Sequence, residues 1–162
     1  MLEKFQRLPL RNGVGIVLLN KSNQIFVARR IDNPSQNWQM PQGGVDSNES
    51  YYDAAIRELK EETSIRSITL LKEIDEFITY ELPNNLLGII WRGKFKGQKQ
   101  KWFIFRFEGE ETEINIKTEK PEFLEWKWID PKDITNVVVK FKLKVYIKIQ
   151  QHIKDLLLKQ RN

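Results

Sequence analysis

The sequence predicts an α/β fold in which helices cover a mixed β-sheet. Three observations favour it: strand-length runs of β-branched and aromatic residues, two segments with apolar residues at helical spacing, and the element order β-β-α-β-β-β-α. The chain has 162 residues, of which 40% are hydrophobic and 30% charged, as is usual for globular proteins. We therefore expect a single domain spanning residues 1–162.

The first two strands are expected to form a β-hairpin. Residues 13–19 and 24–30 are mainly apolar, and a polar Asn-Lys-Ser-Asn turn separates them. Residues 31–37 have the composition of a loop. Three later strand segments are expected, at residues 69–82, 102–107 and 123–129.

Two helices are predicted, one at residues 50–63 and one in the C-terminal segment. Ser50 and Asp53 have the spacing of a helix cap at the start of the first helix. Its apolar stripe, expected to face the core, contains Tyr52, Ala55, Ile56 and Leu59. The stripe of the C-terminal helix contains Phe141, Val145, Ile149, Ile153 and Leu156.

The composition excludes several classes of protein. With no Cys the chain has no disulfide, thiolate zinc site or cysteine nucleophile, and its single His excludes a multi-histidine metal centre. The N-terminal residues carry charges throughout and contain no apolar signal core. The longest apolar run, residues 14–19, is far too short to span a bilayer. We therefore expect a cytoplasmic protein that does not bind membranes.

The charges are unevenly distributed along the chain. Residues 43–65 contain six acidic and two basic side chains, a net charge of −4, whereas the whole chain carries +5, so the remainder carries +9. An acidic patch within a basic surround is typical of a site that gathers cations to hold a polyanion. A lysine-rich surface without such a site is the alternative.

Glu58, Glu61 and Glu62 form the informative cluster. On a helix they lie within a narrow arc, where like charges repel and cost stability. Carboxylate oxygens are hard ligands that suit magnesium or manganese. The cluster therefore predicts an all-oxygen Mg²⁺ site, and the alternative is a solvated face paired with Arg57 and Lys60.

The spacing around this cluster resembles the Nudix box. The family pattern is Gly, five residues, Glu, seven residues, Arg-Glu, an apolar residue, any residue, Glu-Glu, any residue, Gly and an apolar residue. This chain matches it from Gly43 through Glu49 to Ile65, except that Ser64 stands where the family has Gly. If Ser64 has a positive φ, we expect it to cost roughly 1 kcal/mol.

The resemblance implies the Nudix fold, an α/β/α sandwich, and hydrolysis of a nucleoside diphosphate linked to another group. It implies that Glu58, Glu61 and Glu62 are metal-binding and catalytic, with Arg57 and Glu49 bracing the helix and the Gly43 carbonyl as a further metal ligand. The implied cofactor is Mg²⁺, with Mn²⁺ or another divalent cation as alternatives. Glu58 is the expected base, and the alternative is that the metal itself already supplies hydroxide.

Other segments resemble one branch of this family, the bacterial RNA pyrophosphohydrolases and related diadenosine polyphosphate hydrolases. These segments are residues 38–44, 97–103 and 121–123, Trp126, Trp128, and residues 141–142. The resemblance implies that Glu122 supplies a carboxylate to the metal cluster from outside the box. The substrate-binding residues that we expect are Arg11, Arg29, Arg30, Gln39, Tyr80, Lys99, Lys101, Phe141 and Lys142.

Chemical arguments support a substrate-binding role for several of these residues, and some of them have an alternative role. Lys99 and Lys101 occupy alternate positions of an extended segment, so their side chains point to one side, where they are expected to meet phosphates. Tyr80 and Phe141 are expected to stack on a base. The alternatives are a solvated strand end for the lysines, core packing for Phe141 and a surface charge for Arg29 or Arg30.

The function that we favour is removal of pyrophosphate from the 5′-triphosphate or diphosphate end of RNA, leaving a monophosphate. The excess positive charge favours a long polyanion. The alternatives are an asymmetric dinucleoside polyphosphate hydrolase, a catalytically silent RNA-binding module, and an enzyme that degrades oxidised nucleoside triphosphates. The sequence does not address the oligomeric state.

Overall fold

A computed structural model describes residues 2–32 and 36–161 and confirms the α/β fold. The strands are Leu10–Leu19 (β1), Ile25–Arg30 (β2), Gln42–Gly44 (β3), Ile68–Glu73 (β4), Ile78–Glu81 (β5), Gly97–Phe107 (β6) and Phe123–Ile129 (β7). The α-helices are Leu2–Gln6 (α1), Tyr51–Thr63 (α2), Ile134–Val137 (α3) and Leu143–Arg161 (α4).

The strands form a mixed sheet in the order β4-β6-β1-β2-β7. The long strands β1 and β6 are parallel and pair from Leu10 opposite Gly97 to Leu19 opposite Arg106. All other pairings of the sheet are antiparallel, including the predicted hairpin of β1 and β2. The short strands β3 and β5 pair with the N-terminal parts of β1 and β6, so four strands meet at that end of the sheet.

Helices cover both faces of this sheet, which confirms the α/β/α sandwich. On one face Ala54, Ala55 and Leu59 of α2 pack against a cluster that contains Phe103 and Phe105. On the other face, Val145, Tyr146, Ile149 and Ile153 of α4 pack against a cluster that contains Trp102. Within the described residues, no helix is long and apolar enough to cross a membrane.

The structure differs from the prediction in several details. Strand β6 begins at Gly97 rather than residue 102, because its polar first half pairs with both β1 and β5. Phe141 lies in a 3₁₀ turn, Lys140–Lys142, before α4 begins. Tyr52 is 41% exposed, although its ring contacts Phe103. Residues 33–35 of the predicted loop lie outside the described residues.

The cap residues of α2 agree with the sequence. The Ser50 hydroxyl accepts a hydrogen bond from the Asp53 amide at 3.0 Å, as the capping pattern predicts. At the other end, Ser64 has a φ of 67° in the left-handed region, the conformation for which the family uses glycine. Its hydroxyl donates a hydrogen bond to the Asn115 carbonyl at 2.9 Å. This bond offsets part of the conformational cost of a side chain at this position.

Substitutions at Ser64 test this balance. We expect Ser64→Ala to lower the free energy of unfolding by about 1 kcal/mol, because the variant loses the bond to Asn115 and keeps the left-handed Cβ. Ser64→Gly should lie within about 0.5 kcal/mol of the parent, since relief of the Cβ offsets the lost bond. Urea unfolding midpoints measure both values. Equal losses in the two variants would show that the Cβ is not strained.

Candidate active site

A cleft of about 940 Å³ opens at the end of the sheet where β1, β3, β5 and β6 meet. Ten of the residues predicted from the sequence line it: Arg11, Arg30, Gln39, Gly43, Glu58, Glu62, Tyr80, Glu122, Phe141 and Lys142. They come from most of the length of the chain, and the fold brings them together. The cleft therefore has an acidic side, formed by α2 and Glu122, and a basic and aromatic side.

Strand β3 lies directly against α2. A Cβ on Gly43 would overlap the carboxyl group of Glu58, so only glycine allows this approach. The next residue, Gly44, is approached as closely by Arg11, because a Cβ on Gly44 would overlap the Arg11 guanidinium. The Gly43 backbone therefore lies beside the Glu58 carboxyl group, as the predicted metal-binding role of its carbonyl requires.

Arg57 holds this part of the site together. Its guanidinium donates two hydrogen bonds to Glu49, at 2.7 and 2.9 Å, and one to the Gly44 carbonyl at 2.9 Å. It also donates to Glu58 at 3.0 Å and to Glu61 at 3.2 Å. The planar, forked donor set suits this two-point grip on a carboxylate. Arg57 thus connects the loop before α2, strand β3 and two of the predicted catalytic acids.

The pairing with Arg57 lowers the pKa of the Glu49 carboxyl group. Hydrogen bonds from Arg57 and from the Asp46 amide lower the pKa of Glu49 from 4.5 to about 2. A carboxyl group whose pKa is lowered by folding stabilises the folded state above its unfolded pKa. That stabilisation is lost as the pH falls toward the folded value, because only the unfolded chain then binds a proton.

This linkage predicts a pH-dependent loss of stability. As the pH falls from 4.5 to about 2, the contribution of Glu49 should disappear. We expect Glu49→Gln to be less stable than the parent at neutral pH, and the difference to shrink through this pH range. Urea unfolding at a series of pH values measures it. A constant difference across the range would show that the Glu49 charge contributes nothing.

Two carboxyl groups on the acidic side of the cleft, Glu58 and Glu62, have strongly raised pKa values. Burial raises the pKa of Glu58 to about 7, and the nearby charges of Glu61 and Glu122 add to this effect. Glu62 is 4% exposed, and burial and the adjacent Glu122 raise its pKa well above its ordinary value. The Glu62 Oε2 atom is buried without a hydrogen-bond partner. The two groups repel each other, and the hydrogen bond from Arg57 to Glu58 offsets only part of the rise in the pKa of Glu58.

This donor set fits a divalent cation. The oxygens of Glu58, Glu62 and Glu122 and the Gly43 carbonyl are hard ligands, and the unpaired Glu62 oxygen lies among them. In the part of the chain that the structure describes, no three acidic or His side chains are already arranged around one metal position. Glu61 does not line the cleft and instead contacts Arg57.

The opposite side of the cleft is basic and aromatic. Lys142 is 8% exposed, with its ammonium 5.5 Å from the Tyr80 ring centre and 5.9 Å from that of Phe141. Burial lowers the pKa of Lys142 to about 8. Arg11 lies 5.5 Å from the ring centre of Trp91. These groups combine positive charge with flat apolar surface, as binding of a nucleotide polyphosphate requires.

Three predicted substrate-binding residues, Lys99, Lys101 and Arg29, do not line the cleft. Lys99 and Lys101 do point to one side of β6, but their ammonium groups lie over the ring of Phe77, at 4.4 and 5.1 Å. Because side chains alternate along a strand, this side is opposite the one from which Gln98 faces the cleft. Arg29 pairs with Glu125 and does not line the cleft either.

The cleft residues that were not predicted from the sequence include Gln42, Gln98 and Trp91. Gln42 and Gln98 lie in the segments that carry the family resemblance, but their neighbours Gly43 and Lys99 were chosen instead. Trp91 has a φ of 54°, in the left-handed region, and the following Arg92 has a φ of 58°. No pattern in the sequence indicates this turn.

Known proteins are similar to this chain over most of its length. A NUDIX domain family model matches residues 9–148. An RNA pyrophosphohydrolase of Pelagibacter ubique (strain HTCC1062) is 63% identical to this chain over 93% of it and 95% of the relative. An RNA pyrophosphohydrolase of Rhodospirillum rubrum is 49% identical, with 86% and 84% covered.

Solved structures share the fold at low sequence identity. An E. coli dihydroneopterin triphosphate pyrophosphohydrolase has a TM-score of 0.69 at 21% identity, covering 93% of this chain and 99% of that one. A C. elegans Ap4A hydrolase in a binary complex has a TM-score of 0.62 at 19% identity, with 88% and 98% covered. At such identities the likeness concerns the architecture alone.

Proposed function

Because this chain belongs to the NUDIX domain family, we propose that it is a pyrophosphohydrolase that removes pyrophosphate from the 5′ end of triphosphorylated RNA. Its product would be RNA with a 5′-monophosphate. The observation that carries the proposal is the 63% identity to an RNA pyrophosphohydrolase over 93% of the chain. The cleft supports it, since acidic groups on one side face basic and aromatic groups on the other.

The acidic side would hold the metal cofactor, and Mg²⁺ is the ion that we propose. Glu58, Glu62, Glu122 and the Gly43 carbonyl would be its ligands, and Glu61 would join them on release from Arg57. When bound, magnesium would neutralise phosphate oxygens and acidify a water molecule. The unpaired oxygen of Glu62 and the mutual repulsion of the carboxylates support this assignment.

Each part of the cleft then has a chemical task. Glu58 accepts the proton of the attacking water at its carboxylate, and the hydrogen bond from Arg57 holds that carboxylate in position. Lys142, Arg11 and Arg30 bind phosphate oxygens and offset the charge that develops on the leaving group. Tyr80 and Phe141, whose ring centres lie 5.8 Å apart, provide the surface on which a base stacks.

A dinucleoside polyphosphate hydrolase is the second candidate. The observation that favours it is Trp91, a second aromatic surface that lines the cleft together with Leu86 and Ile90. A substrate with a nucleoside at each end could use both surfaces. The charge of +9 outside the box favours RNA, because a longer polyanion gains more from it.

One assay distinguishes the two functions. The purified protein is incubated with magnesium and either 5′-triphosphorylated RNA or diadenosine tetraphosphate, and products are followed over time. We expect RNA with a 5′-monophosphate to form with the higher kcat/KM. Fast cleavage of diadenosine tetraphosphate with no conversion of RNA would favour the second candidate, and no cleavage of either would reject both.

Lys142 and Lys99 form a matched pair of lysines inside and outside the cleft. We expect Lys142→Met to raise the KM for triphosphorylated RNA by about tenfold, because a charge-assisted contact to phosphate is lost. Lys99→Met should leave KM within about twofold, since its ammonium contacts Phe77. Steady-state kinetics at fixed salt measure both. A larger effect at Lys99 would place the substrate on the other face of β6.

A further inference from the structure

A chain of hydrogen bonds leads from the core of the protein to the wall of the cleft. The Trp102 indole N–H donates to Gln100 Oε1 at 3.1 Å. The Gln100 amide then donates to Gln98 Oε1 at 2.7 Å and to Gln42 Oε1 at 3.1 Å. Trp102, Gln100 and Gln98 are at most 1% exposed. The buried amide of Gln100 therefore connects an indole in the core to Gln98 and Gln42 at the cleft.

The chemistry of the indole sets the direction of every bond in this chain. An indole N–H donates and cannot accept, so Gln100 must turn its oxygen toward Trp102. The Gln100 nitrogen then faces the other two glutamines, which must meet it with their oxygens. Their amide nitrogens consequently point away from Gln100. On that side Gln42 is hydrogen-bonded to the Tyr80 side chain.

Gln98 stands next to the backbone of the Nudix box. A Cβ built on Gly13 would lie 2.9 Å from the Gly43 carbonyl oxygen and 3.3 Å from Gln98 Oε1, so the two oxygens border the same spot. Since the Gln98 oxygen is engaged by Gln100, the group that Gln98 offers to the cleft is its N–H₂. Such a donor attracts an anion and repels a cation.

We propose that the Gln98 amide binds a phosphate oxygen of the substrate, and that Gln100 and Trp102 are positioning residues that fix its donor orientation. Without the indole N–H, Gln100 is free to turn over, and Gln98 can then present its oxygen to the phosphate. The inference rests on the proposed function for the identity of the substrate. The orientation of the amides rests on the hydrogen bonds alone.

The test measures binding separately from turnover. A Glu58→Gln background prevents consumption of the substrate, and fluorescence anisotropy with magnesium gives Kd for the same labelled RNA with a 5′-triphosphate or a 5′-hydroxyl. Trp102→Phe removes the indole N–H and keeps an aromatic ring, and Gln98→Glu replaces the donor by an acceptor. Trp128→Phe is the matched control, because its indole N–H donates to Glu111, outside the cleft.

We expect Trp102→Phe and Gln98→Glu to weaken binding of the triphosphate RNA by about tenfold, the loss of one charge-assisted hydrogen bond. Binding of the hydroxyl RNA should not change, and Trp128→Phe should affect neither. A merely structural role of Trp102 would weaken both RNAs equally, which would overturn the proposal, as would an unchanged Kd in Gln98→Glu. If the parent binds triphosphate RNA selectively but fails to cleave it, the proposed function fails and this inference stands.

Discussion

We expect Glu58→Gln to lower kcat by about 10³ while KM and the fold remain nearly unchanged. The substitution preserves the volume of the side chain and one oxygen for the bond from Arg57, but it removes the group that accepts the proton. A factor of 10³ corresponds to roughly 4 kcal/mol of lost transition-state stabilisation. Single-turnover cleavage of triphosphorylated RNA, with circular dichroism as the check of folding, measures the effect.

A matched control separates this effect from a general loss of negative charge. Glu73 is exposed on β4 and does not line the cleft, so Glu73→Gln should keep the parent kcat. If Glu58→Gln retains more than about a tenth of the parent rate, Glu58 is not the base. No protein base would then be required, because a bound divalent ion would itself lower the pKa of water.

Much of the site was predictable because the functional groups lie at fixed spacing on one helix. The cap at Ser50, the turns of α2 and the spacing of Glu58, Glu61 and Glu62 are local properties, and the structure has α2 and its cap as predicted. The positive φ of Ser64 was likewise inferable from the position where the family has glycine. Local sequence is sufficient to predict the arrangement of side chains that all lie on one helix.

The rest of the site depends on contacts between distant segments. The alternation of Lys99 and Lys101 places them on one side of β6 but does not reveal which side faces the cleft, since that depends on the parallel pairing with β1. The same pairing decides that Gln98 and Gln100 are buried, although glutamine is usually exposed. The strand order of a sheet is a long-range property that local patterns do not contain.

Glu62 provides the second large effect, and here activity and stability should diverge. Glu62→Gln removes a buried carboxyl group whose Oε2 has no partner, and the amide can still donate a hydrogen bond to Glu122. We therefore expect the metal-free variant to melt at the same temperature as the parent or higher. Its kcat/KM for triphosphorylated RNA should fall by about 10², because a neutral amide is a weak magnesium ligand.

Thermal melts with and without magnesium test the cause of this loss. A cation that binds only the folded state raises the melting temperature according to its concentration and Kd. We expect millimolar magnesium to stabilise the parent and Glu73→Gln, and to stabilise Glu62→Gln much less. If magnesium raises the melting temperature of Glu62→Gln as much as that of the parent, Glu62 is not a metal ligand. Its buried, unpaired oxygen would then need another explanation, because buried polar groups without partners persist mainly where function requires them.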